Sequence, residues 1–175
     1  MSAKTLISVE EFDRLEEKEF RYELNEGELI TMTRPNTDHG RIERRLLMVL
    51  QTHLEKGDTG EAFGSNILFI LGPTTKRAPD VSVVFREVGS VKEIVGAPDI
   101  AAEILSPSNA KKEMHRKLQQ FFATGCKLAW IIDPKTRTVE VWESAAAPSR
   151  TLLESDVLET PLLPGFTCPS AKLFT

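Results

Sequence analysis

Apolar residues recur at helical spacing in two long stretches of the chain. In the first, an apolar residue stands at every fourth position on one face and a glycine follows, which predicts a helix over residues 39–56. In the second, an apolar stripe that also ends before a glycine predicts a helix over residues 110–124. Ser8 and Glu11 form a capping-box pattern, so a shorter first helix is expected over residues 9–18.

Shorter runs between these helices are apolar throughout or alternate with polar residues, as strands do. Strands are expected at residues 66–71, 80–85 and 100–105, in a hairpin over residues 21–33, and in a pair over residues 128–132 and 138–142. The proline-rich end of the chain is expected to be mostly irregular. Strands around two principal helices predict an α/β or α+β fold with a mixed sheet between helices.

The composition fits one globular domain over residues 1–175. Hydrophobic residues make up 41% and charged residues 27%, with neither an apolar run of roughly 20 residues nor a signal-peptide pattern. The two cysteines share no CxxC spacing, so a reduced, cytoplasmic chain without a zinc site is expected. The net charge of -4 argues against DNA binding, because duplex affinity rests largely on cationic groups that meet phosphates.

Two acidic residues stand in strand-like segments that are otherwise apolar. Asp80 opens the apolar strand of RAPDVSVVF directly after Pro79, and Glu103 lies inside the near-continuous apolar run of PDIAAEILS. A run of this kind is typical of a strand that is covered on both faces. A carboxylate there needs a cation, a metal or several donors, because leaving it unpaired costs several kcal/mol.

If these two strands are neighbours, the carboxylates of Asp80 and Glu103 can converge on one site. Strand alternation puts Glu103 on the same face as Asp99, Ala101 and Leu105. Two carboxylates and water are what magnesium prefers, and an ion held in this way can activate water and offset charge on a phosphoryl oxygen. In the alternative, Asp80 caps a turn and Glu103 forms a buried structural salt bridge with a lysine.

Phosphodiester hydrolysis also benefits from a lysine that orients the attacking water or stabilises developing charge. Leu105 stands two residues after Glu103, so no lysine lies there. Lys117 lies at the margin of the apolar stripe of the second long helix, where its stem can follow the core and its ammonium can reach the sheet. In the alternative, Lys117 forms a solvated pair with Glu113, worth a few tenths of a kcal/mol.

Together these residues resemble the Uma family of restriction-endonuclease-like proteins, within the PD-(D/E)XK nuclease-like superfamily. The resemblance covers almost the whole chain and rests on the order of several segments: RYELNEGELI, Pro35 followed by His39, RAPDVSVVF, PDIAAEILSPS, Lys117 before Phe121 and Gly125, LAWIIDP, and LPGF. Two positions depart from the family pattern. Phe121 stands where a tyrosine is usual, and Ala129 replaces an aromatic residue, so a hydroxyl is lost while apolar packing is kept.

The resemblance implies a restriction-endonuclease-like fold, a mixed sheet flanked by helices, with a magnesium or manganese site built from Asp80 and Glu103. It implies that the catalytic lysine has moved from the position of Leu105 to Lys117. Glu23 matches the family's early acid, as a further ligand or a base; an ordinary hairpin carboxylate is the alternative. His39 matches a histidine at the helix start, where capping or a hydrogen bond inside the fold would explain it.

The function implied is a metal-dependent endonuclease that hydrolyses phosphodiester bonds of DNA, and a homodimer would suit a duplex with two strands to cut. Magnesium or manganese should then support cleavage, and Asp80→Ala should abolish it. Two other functions stay open. The chain could be a nuclease-fold binding or assembly module that does not cleave, which the acidic balance and the missing lysine at position 105 favour. It could also be a metal-dependent hydrolase of a smaller phosphoester.

Overall fold

The structure is a computed structural model that describes residues 6–15, 22–32, 35–106 and 111–175. Its helices and strands, in chain order, are α1 (Val9–Asp13), β1 (Tyr22–Asn25), β2 (Glu28–Thr31), α2 (Thr37–Gly57), β3 (Glu61–Gly64), β4 (Leu68–Gly72), β5 (Thr75–Arg77), β6 (Val81–Val84), β7 (Glu93–Val95), β8 (Ile100–Ile104), α3 (Lys111–Ala123), β9 (Leu128–Asp133), β10 (Thr138–Trp142), β11 (Arg150–Leu152), β12 (Val157–Leu158), β13 (Cys168–Pro169) and α4 (Ala171–Phe174).

A six-stranded mixed sheet with the order β11-β10-β9-β8-β6-β3 lies between the two long helices. Its pairs are antiparallel except for β8 and β9, which run parallel. Alternate residues of β8 face opposite sides: Ile100, Ala102 and Ile104 pack in the core that contains α2, whereas Ala101 packs in the core that contains α3. All five residues of β8 are buried, as the apolar run predicts.

The other large sheet has five strands, in the order β2-β1-β5-β4-β7, and is also mixed. The prediction of a mixed sheet flanked by helices is confirmed, with the strands divided between two sheets. The chain passes from the five-stranded sheet to the six-stranded sheet between β5 and β6, at Ala78-Pro79-Asp80. Pro79 has no N–H to donate to a strand ladder, which suits a point where one strand must end before the next begins.

The three predicted helices are present, although the ends of α1 and α2 differ from the predicted ones. Ser8 and Glu11 form the predicted capping box at the start of α1, but the helix ends at Asp13 with Arg14 as its C-cap and is shorter than the predicted range of residues 9–18; residues 16–18 lie outside the described residues. Helix α2 begins at Thr37 because Asn36 caps it, with its side chain accepting from the His39 N–H. Helix α3 matches its predicted range, although residue 110 lies outside the described residues.

Several short strands were not predicted. Strands β3, β5, β7, β11 and β12 have two to four residues, too few for a recognisable alternation. Apart from β13 and the short helix α4, the proline-rich end of the chain is mostly irregular, as expected. Its apolar side chains complete the core beside α2: Leu163, Phe166, Cys168 and Leu173. Both cysteines are buried free thiols.

Candidate active site

The register of β6 and β8 brings Asp80 and Glu103 together. These strands are antiparallel neighbours in which Val81 pairs with Ala102, so the next pair along the ladder is Asp80 with Glu103. Directly opposite residues of an antiparallel pair lie on the same face, with their Cβ atoms about 5 Å apart. Asp80 is 8% exposed and Glu103 is 4% exposed. The convergence expected from the sequence is therefore present.

Lys117 lies on the same face, because α3 packs across it. Met114, Leu118 and Phe121 bury the apolar side of α3, and the stem of Lys117 follows them into the core. Its Nζ donates to the Ala78 carbonyl oxygen at 2.8 Å and forms ion pairs with Glu103 Oε1 at 2.6 Å and Glu23 Oε1 at 2.9 Å.

The alternative of a solvated pair between Lys117 and Glu113 is wrong. Lys117 is 7% exposed, and its charged partners are Glu23 and Glu103. Glu113 instead lies with its Oε1 at 2.8 Å from Arg77 Nη2.

Glu23 is a buried anchor for the lysine. Its Oε1 accepts from the Ala78 N–H at 2.8 Å in addition to facing Lys117, and its Oε2 accepts from Arg77 Nη1 at 3.0 Å. Burial alone would raise the pKa of the Glu23 carboxyl, but the charges and hydrogen bonds of Lys117, Arg77 and Ala78 outweigh it and hold the pKa below its usual value. Both oxygens are thus engaged by protein donors, unlike those of an ordinary hairpin carboxylate.

Arg77 is the member of the cluster that sequence reasoning missed. Its guanidinium is fully buried and donates from Nε to Gln120 Oε1 at 2.7 Å, from Nη1 to Glu23 and from Nη2 to Glu113. This arrangement joins β1, β5 and α3, and it uses the fixed fork of donors that lysine lacks. Arg77 stands three residues before Asp80 in RAPDVSVVF, but it lies on a strand of three residues, too short for a pattern that would have revealed it.

His39 lies on the other side of Asp80, in the first turn of α2. Its Nε2 is 3.1 Å from Asp80 Oδ2, which also accepts from the Ile104 N–H at 2.7 Å. Burial alone would lower the pKa of His39, but the hydrogen bond to Asp80 and its charge outweigh burial and raise the pKa. The capping role belongs to Asn36. The structure thus brings together Asp80, Glu103, Lys117, Glu23 and His39.

Burial disfavours the ionised form of the Glu103 carboxyl. Burial raises the pKa of the Glu103 carboxyl to about 8, with the carboxylates of Asp80 and Glu23 acting in the same direction, even though the Lys117 ammonium at 2.6 Å opposes them. The same three acids outweigh the burial of Lys117 and raise its pKa. A further positive charge beside Glu103 would favour its ionised form.

A divalent ion of the magnesium type fits the residues present. Magnesium keeps several waters and takes one or two protein carboxylates, which Asp80 and Glu103 supply. Glu103 Oε1 is buried with Lys117 Nζ at 2.6 Å, and an oxygen with two lone pairs that faces one donor keeps the other lone pair for an ion. Among the described residues, no group of three or more His, Cys, Asp or Glu side chains is arranged to hold a metal.

The fold and the cluster of acids with a lysine define a nuclease-like protein. The chain belongs to the Uma2 family, whose model carries the description "Putative restriction endonuclease" and matches residues 9–171. In its fold the chain is similar to the crystal structure of a "putative nuclease belonging to DUF820" from Anabaena variabilis, with a TM-score of 0.81 and 24% identity over 96% of this chain and 97% of that chain. No protein of curated function matches the sequence. No helix in the described ranges has the length and apolar character of a membrane span.

Proposed function

We propose that this protein is a nuclease that depends on magnesium or manganese and hydrolyses phosphodiester bonds of DNA. The observation that carries the proposal is the buried cluster in which Lys117 Nζ lies 2.6 Å from Glu103 Oε1 while Asp80 stands opposite Glu103 across β6 and β8. Lys117 does not pair with Glu113, whose side chain pairs with Arg77 instead. Family membership supports the same class of reaction.

Each residue of the cluster has a separate task in this proposal. Asp80 and Glu103 would hold the ion, which would activate water and offset negative charge on a phosphoryl oxygen. Lys117 supplies a fixed positive charge beside Glu103 for charge that develops on the phosphate. Glu23 and the Ala78 carbonyl hold the ammonium in place, and Arg77 holds Glu23. Because both Glu23 oxygens have protein donors, Glu23 serves as a positioning residue, not as a ligand or a base.

DNA as the substrate is supported by the family description. The net charge of -4 weighs against an extensive phosphate interface, so binding should be weak, and its salt dependence should be shallow because few phosphates are contacted. A homodimer belongs to the same proposal, because two copies of the site could act on the two strands of a duplex.

A cleavage assay with an isosteric variant tests the proposal. Asp80→Asn removes the charge but keeps an oxygen that can accept from the Ile104 N–H, so it should fold. Supercoiled plasmid, linear duplex and single-stranded DNA would each be incubated with magnesium, with manganese and with EDTA. We expect metal-dependent cleavage by the wild type, and cleavage at the EDTA level by Asp80→Asn and Asp80→Ala. Glu61→Gln, which removes an exposed acid on β3, should cleave as the wild type does.

Wild type that cleaves none of these substrates above the Asp80→Asn level would refute the nuclease. A second candidate, a nuclease-fold module that binds without cleaving, is favoured by the internal acceptors that already surround Lys117 Nζ: Ala78, Glu23 and Glu103. It predicts DNA binding in a gel-shift assay without metal-dependent cleavage. A small aryl phosphodiester in the same assay tests a hydrolase of smaller phosphoesters.

A further inference from the structure

His39 contacts the candidate metal site without being placed to bind an ion itself. Its main-chain N–H is engaged by the Asn36 side chain, and its ring is buried with Nε2 at 3.1 Å from Asp80 Oδ2. The other ring nitrogen, Nδ1, is buried and has no hydrogen-bond partner in the described part of the chain, with Glu43 Oε2 3.9 Å away. The His39 ring therefore contacts Asp80 through one nitrogen, Nε2.

The Nε2 atom of His39 must carry a proton, because it faces a carboxylate oxygen of Asp80. A carboxylate oxygen can only accept, so a close Nε2···Oδ2 contact requires a proton on Nε2. Both the neutral Nε2–H form and the doubly protonated ring supply that proton. The donor to Asp80 is therefore present for either charge of His39.

The two donors together decide which oxygen of Asp80 can bind an ion. Oδ2 accepts from the Ile104 N–H at 2.7 Å and from His39 Nε2 at 3.1 Å. A carboxylate oxygen has two lone pairs, so both on Oδ2 are engaged. Oδ1 is left as the oxygen that can face a cation, and the carboxylate is held against rotation by a donor from β8 and a donor from α2.

We propose that His39 is a positioning residue of the metal site, which fixes the Asp80 carboxylate so that Oδ1 alone binds the ion. The inference rests on the proposed function, since it presumes that Asp80 is a ligand. Partners that orient a metal-binding carboxylate typically contribute 10- to 100-fold to metal affinity. Loss of the Nε2 donor should therefore weaken metal binding while Asp80 itself is unchanged.

Calorimetric titration with manganese alone tests the role without relying on activity. The His39→Gln variant can place an amide N–H near the position of Nε2, whereas His39→Leu has no donor. We expect His39→Leu to bind manganese about tenfold more weakly than the wild type, and His39→Gln to remain within about threefold. His53→Leu is the matched control, because His53 lies on the same helix and its ring packs on Phe166.

Thermal unfolding in EDTA separates a structural effect from the proposed one. Should His39→Leu fail to fold, His39→Asn replaces it, because the asparagine amide is one bond shorter than that of glutamine and cannot reach Oδ2. Wild-type affinity in a folded variant without the donor would overturn the role of His39 and leave the nuclease proposal standing. Equal weakening in His39→Gln and His39→Leu would overturn it too. Wild type that binds no manganese would remove the metal site and this inference together.

Discussion

The Glu103→Gln variant should be more stable than the wild type in the absence of metal, by an amount that grows with pH. Burial raises the pKa of Glu103 from its ordinary value of 4.5 to about 8. Between these pH values the folded protein keeps the Glu103 proton and the unfolded chain releases it. The free energy of unfolding of the wild type therefore falls by about 1.4 kcal/mol per pH unit, about 5 kcal/mol in all. Glutamine keeps the shape and does not titrate.

Urea unfolding between pH 5 and pH 8.5 in EDTA measures the difference. The fluorescence of the buried Trp130 and Trp142 reports the transition. Near pH 5 the two proteins should differ little, and near pH 8 the variant should be more stable by several kcal/mol. Manganese at about a hundred times its dissociation constant should then stabilise the wild type by about 2.7 kcal/mol and leave the variant unchanged.

The exposed acid Glu61 provides the control. Glu61→Gln loses the same charge from an exposed position on β3, so its stability should follow the wild-type pH curve. A difference between Glu103→Gln and wild type that does not change with pH, or that grows toward acid, would refute the reasoning. It would mean that Glu103 is ionised in the folded protein throughout and that Lys117 fully compensates it.

Two further substitutions separate the structural and chemical tasks of the cluster. Arg77→Met leaves Glu23 and Glu113 without their buried partner, so the free energy of unfolding should fall by about 3–5 kcal/mol in urea titrations, and Arg77→Lys should recover part of it; no loss would contradict the anchoring role. Lys117→Met should abolish cleavage in the plasmid assay but keep manganese binding in calorimetry, because the ligand acids remain. Loss of both would show that Lys117 acts through the metal site.

The sequence was informative about the metal-site acids because they break a pattern. Asp80 and Glu103 are polar residues in runs that are otherwise apolar. Such a run predicts a strand that is covered on both faces, as β8 is. The two acids converge only if β6 and β8 are neighbouring strands, and an apolar run in the sequence does not predict which strands are neighbours. The resemblance to a known family, and not periodicity, supplied that adjacency.

The anchoring roles of Arg77 and Glu23 could not be read from the sequence, because they depend on long-range contacts, although the family resemblance had named Glu23 as a candidate site residue. Arg77 and Glu23 are 54 positions apart and meet where β1 and β5 pair, and β5 has three residues, too few for a pattern. Glu23 looks like any hairpin carboxylate until the ammonium of Lys117 is placed beside it. The short elements near the end of the chain were missed for the same reason of length.

The position of the lysine explains why the site lies where the two sheets meet. Leu105 stands two residues after Glu103 and packs on the α3 side of the sheet, and α3 crosses that face, so a lysine on the helix reaches the same acid. Unlike a lysine at position 105, Lys117 is also held by the Ala78 carbonyl and by Glu23 of the five-stranded sheet. The Lys117 ammonium therefore contacts residues of both sheets, at the point near Pro79 where the chain passes from one sheet to the other. Any change that shifts one sheet relative to the other moves the lysine away from the acids, so stability at this crossing and catalysis should be lost together.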